Sequence, residues 1–200
     1  MKKINFNDRY GLTQAVIDDR KTMTRRIEFD KELQKMIDDS DSYYYDDGYL
    51  VFATQDVDIH HVKTKYKVGE IMAVAQRYQD IFDYSNCVNP YDWEDDDKPS
   101  GWTNKMFTKA KLMPHRIRIT GIKCERLQDI SNEECLREGI RQFTPNFPKN
   151  LPIHPTHFVV GDILKDTPRE AFAELIDKVS GKGTWASNPW VVAYEFELVK

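Results

Sequence analysis

The chain closes on "NPWVVAYEFELVK", in which Val192, Tyr194, Phe196 and Leu198 recur at every second position. Alternation with a period of two predicts a half-buried strand, whose apolar face must be covered by another layer. The segment just before it supplies one. Thr167 reads as a helix cap, Pro168 as the first helical residue and Glu170 as the capping-box partner, while Phe172, Leu175, Ile176 and Val179 share one face and Gly181 marks the stop. A packing helix followed by a terminal strand commits the chain to an α+β fold on a small, mostly antiparallel sheet or barrel.

The remaining elements fit that frame. Leu12, Ala15, Val16 and Asp19 stand at helical spacing and predict a short helix from about Gly11 to Asp19. "KVGEIMAVAQRY" predicts a core strand with Ile71, Ala73 and Ala75 alternating. In "HRIRITGIKCERL", Ile117, Ile119 and Cys124 alternate with cations, so Arg116, Arg118 and Lys123 would line a solvated face. Ser131 with Glu134 forms a capping box for a helix of about Asn132 to Glu138, stopped by Gly139. Two polar stretches interrupt this single domain of 1–200. Residues 28–65 carry "DDSDSYYYDDGY" and the strand "YLVFA" after an Asp47-Gly48 turn, which predicts an inserted hairpin. Residues 80–105, with "YDWEDDDKPSGW", predict a long surface loop.

Composition narrows the functional classes. A formal net charge of −4 excludes a protein that coats nucleic acid without specificity, because that needs a broad basic surface, but leaves room for a local basic site. No apolar run approaches the roughly 18 residues of a membrane span, and "MKKINFNDRY" has no signal-peptide core, so the expected setting is cytoplasmic with no membrane partner. Cys87, Cys124 and Cys135 are widely spaced and read as reduced thiols. His154 and His157 are separated by a proline and read as a loop turn rather than zinc ligands, so neither a metal nor a cofactor is called for. Cys135 and Glu138 share a helical face, but no nearby histidine activates the thiol. Trp185 and Trp190 suit core packing or, less commonly, base stacking.

The chemistry concentrates in "RKTMTRR", residues 20–26. A lysine among cations has its charged form disfavoured, and burial would disfavour it further, which moves Lys21 towards acting as a base. A threonine hydroxyl beside such a base becomes a nucleophile. An extended chain would point Thr22 and Thr24 away from Lys21, whereas a tight turn would bring Lys21 and Thr24 together. An anion-binding loop is the plainer alternative. Glu138, a carboxylate at a helix C-terminus, sits against the helix dipole and so invites a functional role.

"RKTMTRR" after a short helix, the strand at "VGE", "ERLQDISNEECLREGI", and the closing helix and "NPWVVAYEFEL" strand together resemble the ASCH domain, a family of PUA-like β-barrels with members in bacteriophage and prophage genomes. Lys21, Thr24 and Arg26 match the first family motif, with Asp19 where glycine is usual; Leu127, Ile130, Ser131, Glu138 and Gly139 match the second. The resemblance implies a mixed, mostly antiparallel barrel with short flanking helices and long inserted loops. It also implies one of two activities. Small bacterial members hydrolyse N4-acetylcytidine, and on that pattern Lys21 would be the general base, Thr24 the nucleophile and Glu138 the proton donor. Other members are regarded as non-catalytic RNA-binding modules. Arg20, Thr22, Arg25, Arg26, Arg116 and Arg118 would then grip a nucleoside or short RNA element while Trp190 stacks a base. A phage-encoded protein-interaction factor is the third reading.

Overall fold

A computed structural model describes residues 1–54, 59–82, 98–144 and 156–199. The chain folds as mixed α+β with mostly antiparallel sheets. The main sheet runs in the order β1 (Lys3–Ile4), β6 (Ile71–Val74), β7 (Arg116–Arg126), β11 (Trp190–Val199) and β2 (Met23–Arg26). Every pairing in it is antiparallel except β1 with β6. The long β7–β11 ladder, from Arg116↔Val199 to Arg126↔Trp190, is its spine, bent by a bulge at Glu195/Phe196.

The expected barrel does not close. Strands β1 and β2 are the two free edges, and in place of a ladder between them a side chain crosses: Arg26 Nη2 donates to the Asn5 carbonyl at 2.7 Å. Strand β1 has two residues and the chain leaves it at Asn5, so no backbone remains to pair with β2. The PUA-like barrel is therefore replaced by an open five-stranded sheet with a seam between its edges.

The helix α5 (Pro168–Ser180) covers the sheet as its caps foretell, with the Thr167 side chain accepting from the Glu170 amide and Ala171, Phe172, Leu175 and Ile176 buried. Strand β11 departs from its half-buried reading. Val191 and Ala193 are as buried as Val192 and Tyr194, because the strand lies between β7 and β2 with layers on both faces. Strand β6 likewise buries Met72, Ala73 and Val74 in succession while Ile71 is exposed, so the alternation expected at Ile71, Ala73 and Ala75 does not hold.

Residues 28–65 are more than a hairpin. They form α2 (Lys31–Asp38), capped by Asp30, and a three-stranded antiparallel sheet, β3 (Ser40–Asp46), β4 (Tyr49–Thr54) and β5 (Ile59–Lys63). Ile37, Leu50 and Phe52 join the common core, so the stretch is part of the domain. The short helix α3 (Tyr78–Ile81) leads into the loop expected at 80–105, of which residues 83–97 lie outside the described residues. A third small sheet, β8 (Arg141–Phe143), β9 (His157–Val160) and β10 (Ile163–Lys165), packs beside α5. No helix among the described residues is long and apolar enough to cross a membrane.

Candidate functional site

Two helix ends deliver the central pair. Helix α1 (Leu12–Ile17) ends in a left-handed turn at Asp19, φ 59°, after which the amides of Arg20 and Lys21 both donate to the Ala15 carbonyl at 2.9 Å. Asp19 thus adopts the conformation that a glycine takes most easily, and its short polar side chain tolerates it. Helix α4 (Asn132–Arg137) has the expected capping box at Ser131 and Glu134 and passes through Glu138 into Gly139, φ 105°. A Cβ on Gly139 would lie 3.2 Å from Leu12 and 3.5 Å from the Lys21 side chain, so glycine there lets α1 and Lys21 approach the end of α4.

Lys21 closes this junction. Its Nζ donates to the Glu138 carbonyl at 2.7 Å and to Glu138 Oε2 at 2.5 Å, with Lys21 2 % and Glu138 4 % exposed. The lysine caps the C-terminus of α4 and neutralises a carboxylate that the helix dipole disfavours. Burial pushes the Lys21 pKa below its ordinary 10.5; Glu138 opposes that shift, and Arg26 and Arg25 reinforce it.

Arg25 has a different role from the phosphate contact expected of it. On β2 it faces the same side as Lys123 and Glu125 of β7, through Ala193 of β11. Its guanidinium meets Glu125 Oε1 at 2.6 Å, Glu134 Oε2 at 2.9 Å and Glu138 Oε1 at 3.2 Å. Burial works to lower its pKa, but the carboxylates of Glu138, Glu125 and Glu134 outweigh burial and raise it. Lys123 adds an ion pair to Glu125 at 2.9 Å and another to Glu134. One carboxylate, Glu138, is thereby shared between Lys21 and Arg25, each on its own oxygen.

A cavity of about 490 Å³ opens at the seam between β1 and β2. Asn5, Phe6 and Asn7 come from the first edge and Thr24, Arg25 and Arg26 from the second. Lys21 and Glu138 also line the cavity, and Phe172, Leu175, Ile176 and Val179 of α5 form an apolar wall. Volume and lining fit a small organic ligand with a flat apolar part. The Thr24 side chain is buried, and among the described residues its hydroxyl has no hydrogen-bond partner. It makes no bond to Lys21, so the structure joins Lys21 with Glu138 directly and adds Thr24 only through the shared cavity. No family model, curated protein or solved structure matches the chain.

The other expected ligand residues lie elsewhere. Arg20 is exposed and paired with Asp18 at 2.8 Å. Thr22 is tied to the end of α4, its hydroxyl accepting from Arg137 Nε at 3.1 Å. Arg116 and Arg118 are exposed at the end of β7 remote from the cavity wall at Leu127, and Arg118 pairs with Glu197 at 3.0 Å. Trp190 packs edge-on against Tyr43, lies under the Arg126 guanidinium at 4.9 Å and donates Nε1–H to Asp38, outside the cavity. Trp185 packs against Phe172 and Arg169. His154 and Cys87 fall outside the described residues; His157 contacts Asp166 at 3.1 Å. Among the described residues no group of three or more His, Cys, Asp or Glu side chains could hold a metal ion. Cys124 and Cys135 are buried, and burial pushes both thiols up to about 12, which removes Cys135 as a nucleophile.

Sequence reasoning missed Phe6 and the wall of α5. The periodicity of α5 reads as core, and only the exposure of Val179 at the cavity distinguishes its last turn.

Proposed function

We propose that this chain is an ASCH-like, PUA-related protein whose cavity takes a cytidine-type nucleoside and hydrolyses an amide at its N4 position. One observation carries the reading: a buried Lys21–Glu138 pair shares a cavity with Thr24, whose hydroxyl is unpartnered among the described residues. Burial of Lys21 brings the free amine within reach, which a general base requires. The step requires Lys21 as the neutral amine, its proton passed to Glu138 across the hydrogen bond between them. Lys21 takes the Thr24 proton as Oγ bonds to the acyl carbon, and the C–N bond breaks as Glu138 protonates the leaving exocyclic nitrogen. Lys21 then returns the proton to Glu138 across their hydrogen bond, takes a proton from water as the hydroxide adds to the Thr24 ester, and gives it to Oγ as the acid departs, which restores the starting state. Thr24 must move towards Lys21 as ligand enters, as is usual of sites that tighten in their complexes.

A single nucleoside suits the site better than a length of RNA. The cations expected to hold phosphates are engaged within the protein: Arg20 by Asp18, Arg118 by Glu197 and Arg25 by three glutamates. The test is release of cytidine from N4-acetylcytidine by the wild type beside Lys21→Met, Thr24→Val and Glu138→Gln, each checked for folding by circular dichroism. Turnover in the wild type that falls at least about 100-fold in Thr24→Val supports the reading. Absence of turnover with several N4-acyl groups, together with salt-sensitive oligonucleotide binding, would replace it with a non-catalytic RNA module.

A further inference from the structure

Lys21, Arg25, Arg26 and Glu138 line the cavity, and behind them Lys123, Glu125 and Glu134 extend the ion-pair network. Three of the four cations have carboxylate partners. Arg26 has none among the described residues. Its Nη2 donates to the Asn5 carbonyl, while Nε is buried without a partner and Nη1 makes no hydrogen bond. Glu28, two residues on, forms no ion pair with it: Oε2 accepts from the Tyr194 hydroxyl at 2.8 Å and from the Lys65 amide at 3.1 Å, while Oε1, like Asn5 Oδ1, is buried without a hydrogen-bond partner. The Arg26 guanidinium lies 5.9 Å from the centre of the Phe6 ring, whose other cationic neighbour is Lys21 Nζ at 5.8 Å.

Nε has no accessible surface, so Nη1 is the guanidinium nitrogen left to meet an acceptor that enters the cavity, and the charge itself still lacks a counter-ion. Arginine presents its N–H groups in a planar fork that suits carboxylate and phosphate oxygens. The opposite wall of the same cavity, Phe172, Leu175, Ile176 and Val179, offers only apolar surface. A ligand complementary to both ends has a flat, weakly polar body and one anionic group.

We infer that Arg26 is an anion anchor, and that the ligand of this cavity is a nucleoside monophosphate rather than a neutral nucleoside, its phosphate on the Arg26 guanidinium and its base against the α5 wall. The inference rests on the nucleoside reading above and sharpens it. Glu138 does not repel such a ligand strongly, since Lys21 and Arg25 each engage one of its oxygens. Inorganic phosphate alone lacks the apolar half and binds weakly.

The experiment is calorimetric titration of the full chain with cytidine, cytidine 5′-monophosphate and inorganic phosphate, repeated with Arg26→Gln and Arg26→Lys. In the wild type the monophosphate binds about 10- to 100-fold tighter than cytidine, the gain expected of a charge-assisted hydrogen bond. Arg26→Gln reduces the ratio of monophosphate to cytidine affinity to within about 3-fold, whatever it does to cytidine affinity itself, and Arg26→Lys, which keeps the charge without the fork, restores part of that ratio. Cytidine binding with no preference for the monophosphate would overturn the inference and leave the nucleoside reading standing. A monophosphate preference that survives in Arg26→Gln would also overturn it, by placing the phosphate elsewhere. Binding of phosphate that depends on Arg26, with no contribution from the base, would instead refute the nucleoside reading. Failure of all three ligands would refute both.

Discussion

Replacing Glu138 with glutamine removes one negative charge from between two buried cations, and the structure dictates which cation suffers. Arg25 keeps Glu125 at 2.6 Å and Glu134 at 2.9 Å, so its charge stays compensated. Lys21 keeps only the Glu138 carbonyl at 2.7 Å and loses its ion pair at 2.5 Å. Removing one member of a buried pair costs about 3–5 kcal/mol, and with one stranded charge the expected loss is about 3 kcal/mol. Lys21→Met is milder, about 1–2 kcal/mol, because methionine fills the volume and Glu138 remains paired with Arg25 at 3.2 Å. The double variant should recover about 1–2 kcal/mol of the summed losses. The pH dependence has a fixed sign. Glu138 raises the Lys21 pKa, so its removal lowers a value that burial already holds below 10.5. Between the folded value and 10.5 the unfolded chain binds the extra proton, and stability rises with pH across that window. The Glu138→Gln deficit is therefore greatest at neutral pH and shrinks as pH approaches 10.5. Urea denaturation followed by circular dichroism at several pH values measures all of this. Additive losses to within about 0.5 kcal/mol, or a deficit that grows with pH, would refute the stranded-lysine reasoning.

Other consequences are simpler to check. Gly139→Ala should cost about 1–2 kcal/mol in thermal or chemical denaturation and weaken cytidine binding, because the strained backbone and the contact with Lys21 coincide there. At Asp19, glycine should be neutral to slightly stabilising, whereas Asp19→Val should cost about 1–2 kcal/mol, as a β-branched residue resists φ of 59°. Trp190→Ala should lower stability by about 1–3 kcal/mol through lost packing on Tyr43 and Arg126 while leaving cytidine affinity unchanged in the same titration. In a Cys87→Ser background, native protein at pH 8 should resist alkylation by iodoacetamide and react after unfolding, since burial holds the Cys124 and Cys135 thiols at about 12.

Local signals in the sequence carried far. The caps of α4 and α5 and the position of strand β11, though not its alternation of burial, stand in the structure where the residues predict them, because each depends on neighbours within a few positions. Lys21 and Glu138 do meet, although 117 residues apart, and the two segments that present them were visible as a basic turn and a misplaced helix-end acid. Arg25 was misread because a charged residue on a strand normally faces water, and nothing local discloses that Glu125, Glu134 and Glu138 converge on it. Helix α2 was hidden by its charged composition, though Leu33, Met36 and Ile37 carry the helical spacing that packs it onto the core. The open seam depends on β1 being two residues long and on the path the chain takes after Ile4, and tertiary packing alone decides that.

The central proposal is that Thr24 attacks an N4-acyl cytidine while Lys21 and Glu138 move the proton. Its most direct test is to mix the protein with N4-acetylcytidine, quench in acid within the first turnover, and map acetyl groups on the digested chain by mass spectrometry. The prediction is an acetyl ester on Thr24 that forms and decays with cytidine release and is absent in Lys21→Met. Cytidine released at full rate with no acetyl group on Thr24, or undiminished release by Thr24→Val, would contradict it.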